Sequence, residues 1–239
     1  MTNILIIGSS GDIGCAIARK LAFDGYQLIL HYHTNEQKMT KMLQTFPEES
    51  ILAIIQANLE SDSSMDTFLN DIVFPVDGIV FAGGQGYIGL LQNTPYHVMD
   101  DMFMQHVKAP WKISKKFLPM MIKNRSGRIV LITSIWGELG ASNEVVYSSV
   151  KGAQNSFVKA LAKEVASCGV YVNGVSPGFI ATKMNGHLSK EETQAIMERI
   201  PMQRAGKPSE VADAVCFLMD ERTTYINGEI INVNGGWRE

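Results

Sequence analysis

The sequence predicts an α/β fold, a doubly wound parallel sheet of Rossmann type in a single domain, and three observations predict it. Apolar, β-branched runs alternate with amphipathic helical stretches from end to end. Most of the runs lack strict two-residue alternation, which means burial on both faces, as in a parallel sheet between helices. The first run ends in a glycine-rich turn, residues 8–14, that opens directly into helical periodicity.

Strands are expected at residues 3–7, 27–32, 51–56, 76–81, 128–133, 171–176 and 229–233. Helices between them show apolar residues three and four apart: Ile13, Ala16, Ile17 and Leu21, then Met39, Met42, Leu43 and Phe46, then Met65, Phe68, Leu69 and Ile72. The thirteen methionines fall largely at such spacings and read as core filler. Two longer helical patterns cover residues 98–122 and 145–165, the second extending to about residue 168. Between Pro177 and Pro208 the chain turns polar, with one clear helix at 190–200, so residues 179–207 are expected to form a substrate lid. No repeat, low-complexity tract or linker interrupts the pattern, so residues 1–239 read as one dinucleotide-binding and catalytic domain.

A hydrophobic content of 46% suits a full core, and a net charge of −3 gives no electrostatic case for nucleic acid or an anionic membrane. Cys15, Cys168 and Cys216 are scattered, which fits free thiols in a reducing compartment and neither a disulfide frame nor a metal site. No apolar run approaches the roughly 18 residues needed to span a bilayer, and the first strand begins too early for a signal peptide. The expected location is the cytoplasm.

In the turn, Gly8, Ser10, Gly11, Asp12, Ile13 and Gly14 would let the backbone approach a pyrophosphate at the positive end of a helix. A carboxylate there repels phosphate, so Asp12 is expected to cap the helix. About 20 residues on, a fold specific for NAD places an acid against the ribose. Here the segment is His31-Tyr32-His33-Thr34-Asn35, so His31, His33 and nearby Lys38 are candidates to meet a 2′-phosphate, favouring NADPH over NADH. Either histidine could equally be a plain strand-end residue.

Ser134 follows the fifth strand, and Tyr147 and Lys151 stand four apart on a helix, hence on one face. A free tyrosine ionises near pH ~10. A cation ~4 Å away, at an effective dielectric near 20, favours the phenolate by about 4 kcal/mol, roughly 3 pKa units. Tyr147 would then serve as general acid, with Ser134 donating to a carbonyl oxygen.

With these residues in view, the chain resembles the short-chain dehydrogenase/reductase family over essentially its whole length. The matches are the 8–14 turn, Ser134, Tyr147 and Lys151, Val172-Asn173 leading to Pro177-Gly178, Thr182, and Asn234-Gly235-Gly236. The resemblance implies a homotetrameric nicotinamide-dependent carbonyl reductase. In it Lys151 also binds the nicotinamide ribose, and Pro177, Gly178, Ile180 and Thr182 line the nicotinamide. Asn58 and Leu59 would lie near the adenine, with Ala82, Gly83 and Gly84 completing the cofactor site. Three departures stand out. The usual Asn-Asn-Ala-Gly is Phe81-Ala82-Gly83-Gly84, Asp12 interrupts the turn, and His106 stands where an asparagine completes a proton relay. His106 could hold the relay water, titrate itself, or be a packed residue beside a Pro110 kink.

The overall likeness is to 3-oxoacyl-[acyl-carrier-protein] reductases, for which Arg125 and Arg128 are candidate contacts to an acidic carrier, although Cys168 replaces an arginine common there. Trp136, Glu138 and Glu144, with the Gly-Asp-Ile-Gly turn and the Asn-Gly-Gly-Trp end, also resemble a branch that reduces an aminopentanone group on a lysine of elongation factor P. Carboxylates at the mouth would suit its ammonium, though both glutamates could be solvated loop charges. A non-catalytic nucleotide-binding module is the third reading; it should have lost the tyrosine or the lysine, and both are present.

Overall fold

Consecutive apolar side chains can all be buried only in a strand covered on both faces. β1 (Asn3–Ile7) lies in that way: Ile4, Leu5 and Ile6 have no exposed surface. The structure is a computed structural model, and it describes residues 2–186 and 188–238. After β1 come α1 (Asp12–Phe23), β2 (Gln27–Tyr32), α2 (Glu36–Leu43), β3 (Ile51–Gln56), α3 (Asp62–Asp71) and β4 (Gly78–Phe81). The second half runs α4 (Tyr96–Phe103), α5 (Ala109–Asn124), β5 (Gly127–Ile132), α6 (Trp136–Leu139), α7 (Val145–Val165), β6 (Val170–Pro177), α8 (Lys190–Arg199), α9 (Pro208–Met219) and β7 (Ile230–Val233).

The strands form one sheet in the order β3-β2-β1-β4-β5-β6-β7, every neighbouring pair parallel. This is the doubly wound sheet expected from the sequence. Strand alternation divides the apolar residues between two cores. Ile4 and Ile6 join Leu28, Leu30 and Val80 under α1 and α9, whereas Leu5 and Ile7 join Ile29, Ile79 and Phe81 under α3, α5 and α7. The chain reverses its winding direction between β1 and β4, and a crevice for a ligand opens at such a switch point beyond the strands' C-terminal ends.

Two boundaries differ from the expected ones for visible reasons. β4 starts at Gly78, because the Asp77 carboxylate accepts the Asn3 N–H at 2.9 Å. The helix expected over 98–122 is α4 and α5 joined by a π-helical turn, Met104–Lys108. In an α-helix the His106 carbonyl would accept from residue 110, and Pro110 has no N–H to give. The polar insertion after β6 is closed at its base by a bridge between Ile180 and Gly206. Its helix α8 starts on a capping box, with Ser189 Oγ accepting from Glu192 N and Glu192 Oε2 accepting from Ser189 N.

Candidate active site

The nucleotide end is built by backbones in contact. Gly8 has φ +78°, and a Cβ on it would lie 2.3 Å from Gly83 Cα; one on Gly14 would lie 2.2 Å from the Gly8 carbonyl oxygen. Glycine at these positions lets the β1 and β4 loops touch and seats α1 close beneath them. The cavity beyond them measures about 260 Å³, and its walls include Gly8, Ser10, His31, His33, Asn58 and Leu59 with Ala82, Gly83 and Gly84. The first N–H groups of α1 carry no side-chain cap, which leaves them for an anion. The arrangement fits a dinucleotide: a bare helix N-terminus, a glycine floor, and no carboxylate among the described residues of this wall.

Three expectations about this end are corrected. Asp12 does not cap α1. Its carboxylate turns sideways, 2.6 Å from Lys38 Nζ, and accepts the Lys183 N–H at 2.7 Å. Burial opposes its charge, but these two donors hold its carboxyl below the usual range. Lys38 is thereby paired and not held free for a phosphate. His31 is not a 2′-phosphate contact either. Its Nδ1 accepts from Gly8 N at 3.2 Å and its Nε2 donates to the Ala57 carbonyl at 3.1 Å. Both ring nitrogens are occupied, and burial pushes its pKa down to about 4, so the ring is neutral near pH 7. Asn58 holds its own loop, accepting from Glu60 N at 2.9 Å.

The chemical end is a cavity of about 520 Å³ at the C-terminal ends of β4, β5 and β6. Ser134, Tyr147, Lys151, Pro177, Gly178, Ile180 and Thr182 line it, with Ile13, Ala82, Gly83 and Gly84 joining it to the nucleotide end. α7 presents Tyr147 and Lys151 on one face, and the Lys151 ammonium lies 5.5 Å from the tyrosine ring centre. Ser134 Oγ accepts from Trp136 N at 3.2 Å and is within hydrogen-bonding reach of the phenol.

The expected lowering of the Tyr147 pKa is not what this geometry gives. Burial pushes the phenol up to about 12; the Ser134 hydroxyl pulls it down, and the charge of Glu144 adds to the rise. Lys151, buried and hydrogen-bonded to the Ile132 carbonyl at 2.9 Å and Gln154 Oε1 at 3.2 Å, is brought down to about 7 by desolvation. Two of the ammonium's three N–H groups are thus given to protein oxygens beside the tyrosine ring.

His106 lies behind the wall, 1% exposed, edge-on to Tyr147 at 5.8 Å between ring centres. Its Nε2 donates to the Gln85 carbonyl at 2.8 Å, and Nδ1 has no partner. Burial and the Lys151 charge push its pKa down to about 3, so it does not titrate near neutrality. Of the two arginines considered for a carrier protein, Arg128 is unavailable: its guanidinium donates to the Leu218, Thr223 and Glu221 carbonyls. Arg125 stays exposed and donates to the Ser167 carbonyl. Trp136 and Glu144 line the cavity, while Glu138 is exposed and off its wall.

The sequence reading missed Tyr87, Met184, Ile196 and Trp237 in the cavity wall, and Gln154 beneath it. Trp237 stacks edge-on against Trp136 at 5.1 Å. Of these, the terminal Asn-Gly-Gly-Trp run was the one visible signal.

Fold and cavity together define a nicotinamide-dependent oxidoreductase on a Rossmann-type sheet. The chain belongs to the short-chain dehydrogenase/reductase family: the family model described as enoyl-(acyl carrier protein) reductase matches residues 8–238. An uncharacterized oxidoreductase of Bacillus subtilis (strain 168), YmfI, is 43% identical over 240 residues, covering 98% of this chain and 97% of that protein. The 3-oxoacyl-[acyl-carrier-protein] reductase FabG of Aquifex aeolicus (strain VF5) is 36% identical over 245 residues, with 97% and 95% covered. The fold matches the crystal structure of YwfH, an NADPH dependent reductase involved in bacilysin biosynthesis, with a TM-score of 0.89 at 24% identity, covering 98% of this chain and 97% of that one.

Proposed function

We propose that this chain reduces a ketone to a secondary alcohol with NADPH, and that the ketone is the aminopentanone group on a lysine of elongation factor P. When bound, the nicotinamide supplies the hydride. The protein's part is to orient the carbonyl and give the proton. Ser134 donates a hydrogen bond to the carbonyl oxygen, and Tyr147 transfers its phenolic proton to that oxygen as negative charge develops there. A phenol raised to about 12 stays protonated at neutral pH, which is the form reduction needs. Lys151 sits beside the ring and offsets the phenolate charge left behind. His106 contributes no proton on this reading, being neutral and held by Gln85.

The observation that carries the substrate is Glu144 in the cavity wall beside an apolar stretch formed by Tyr87, Trp136, Met184, Ile196 and Trp237. Such walls accept a short alkyl chain, and the carboxylate suits an ammonium at its end. The apolar lining also supports a second reading, a 3-oxoacyl group on acyl carrier protein, the substrate class in the name of several relatives. The loss of Arg128 to internal carbonyls weakens that reading. NADPH is preferred because, among the described residues, no acid lines the cavity at the ribose end, where His33, Thr34 and Asn35 stand. We further place the enzyme in the cytoplasm, consistent with its three free thiols, as one domain working as a homotetramer. Among the described residues no helix is long and apolar enough to cross a membrane.

The test compares NADPH oxidation with aminopentanone-modified elongation factor P and with a 3-oxoacyl thioester, for the native enzyme and Tyr147→Phe. Faster turnover of the modified protein is expected, with Tyr147→Phe lowering kcat by roughly 10²- to 10⁴-fold. A deletion strain should accumulate the unreduced modification, read by mass spectrometry. Preference for the thioester and no accumulation would transfer the assignment to the carrier-linked substrate. Undiminished turnover by Tyr147→Phe would remove the mechanism altogether.

A further inference from the structure

Gln154 lies one turn beyond Lys151 on α7 and is 3% exposed, deep beneath the cavity. Its Oε1 accepts from Lys151 Nζ at 3.2 Å, and its Nε2 donates to the His106 carbonyl at 2.8 Å. Only one amide orientation serves both partners, since an ammonium can only donate and a carbonyl can only accept. The His106 carbonyl is open to a side chain because Pro110 cannot supply the N–H an α-helix would bring to it, and the chain there forms a π turn. Four features in two separate segments thus make one unit: Lys151 and Gln154 on α7, and the carbonyl of His106 with the missing N–H of Pro110 where the π turn enters α5.

We propose that Gln154 is a positioning residue for the reduction, tying the Lys151 ammonium to the π turn so that it is held at the Tyr147 ring. The inference rests on the ketone-reductase reading above, in which Lys151 offsets the phenolate. An ammonium has three N–H groups. The Ile132 carbonyl and Gln154 occupy two of them, which fixes the direction of the third. A lysine held by Ile132 alone would retain rotamers that take its charge away from the phenol. Position 106 therefore acts through its main chain, and its imidazole stands aside. The groups that face Lys151 are Tyr147 on its own helix and His106 on the π turn, with Glu144 acting on the phenol. Removing the Gln154 oxygen deprives the ammonium of an acceptor, so Lys151 would lose its proton at lower pH.

The experiment is a pH profile of kcat and KM with NADPH and the faster of the two ketones compared above. It is run on the full chain for the native enzyme, Gln154→Met, Gln154→Glu and Tyr147→Phe. Gln154→Met is expected to lower kcat about tenfold or more, with ketone KM changed less than about threefold. Its alkaline limb should move down by about one pH unit, and that of Gln154→Glu should move up, since a carboxylate holds the ammonium charged. Native kcat and an unmoved limb in Gln154→Met would overturn the proposal. So would a loss matching only the fraction of folded enzyme, measured by NADPH titration. If Gln154→Met does not fold, Gln154→Glu decides alone, and an unmoved limb overturns the proposal. Should Tyr147→Phe turn over normally, the reductase mechanism fails; should it be inactive beside a native-like Gln154→Met, only the role of Gln154 fails.

Discussion

His31 and His106 are imidazoles that the fold holds neutral, 4% and 1% exposed. Burial brings them to about 4 and about 3, against an ordinary value near 6.5 in the unfolded chain. Between those values the unfolded chain binds more protons than the native one, so stability rises with pH through that window and is lost as pH falls below about 6.5. Each group contributes at most about 1.4 kcal/mol per pH unit, so the pair makes the acid limb steep. Replacing His106 with Asn removes one titrating group. The fall in Tm between pH 6.5 and 5, above the range where carboxylates titrate, should then be shallower, measured by calorimetry across that range; an unchanged slope would show that His106 is protonated in the native state. Its ring also explains a glycine. Gly84 has φ +123°, and a Cβ there would lie 2.1 Å from His106 Cε1. The Gly83-Gly84 departure and the His106 departure are therefore parts of one packing solution, which neither position discloses alone. That Tyr147 and Lys151 share one face could be read from the sequence because their spacing is local, whereas Ser134 meets them only through the fold at the end of β5. The role of His31 could not be read either, since its partners Gly8 and Ala57 come from two other loops.

Elements were legible to the extent that their signal is periodic. β1 and β2 begin and end where the apolar runs do, because both faces of those strands carry the core, and the edge strand β3 keeps its bounds although it is only partly buried. The π turn escaped notice because apolar spacing continues through it, and Pro110 shows only that a hydrogen bond is missing, not what replaces it. The polar insertion expected to be a lid, too, has an anchor invisible to periodicity. Lys183 opens the short helical turn Lys183–Asn185, and its N–H is held by Asp12, 171 residues earlier, at the start of α1. Asp12 thus joins the nucleotide turn, α2 through Lys38, and the lid. The Asp12→Ala change should free the lid at that end while leaving α1, whose cap does not use Asp12, in place. Loss of a charge-assisted hydrogen bond of roughly 1.5–3 kcal/mol corresponds to tenfold or faster amide exchange in residues 182–186. Hydrogen exchange followed by mass spectrometry would show this, and equal protection in both proteins would mean that other contacts, among them the Ile180–Gly206 bridge and the Met202 N–H on the Gly235 carbonyl, hold the insertion.

At the scale of the whole molecule, the sheet buries its faces under helices that carry apolar residues on their outer sides as well. On the side covered by α5, Phe103 and Trp111 are 45% and 46% exposed and stack edge-on at 6.1 Å, and Met120 lies half-exposed along the same helix. On the side covered by α9, Phe217 is 51% exposed, and Tyr225 beyond that helix is fully exposed. The two helices pack on opposite cores, so the patches face different directions. A two-fold axis through one patch closes a dimer and satisfies that patch alone; two distinct patches, each on its own axis, close a tetramer. This geometry fits the homotetramer proposed above, with one patch on each axis. Burying a large aromatic contributes about 1.5–3 kcal/mol, and each two-fold interface contains it twice. Trp111→Lys should therefore lower the mass measured by light scattering from four chains to two without unfolding the protein. The further change Tyr225→Lys should lower it to one. If Trp111→Lys still gives four chains, the α5 face is not the contact. A native protein with the mass of one chain at micromolar concentration would show that both patches remain exposed in solution, and the lid and cavity would then belong to a monomeric enzyme.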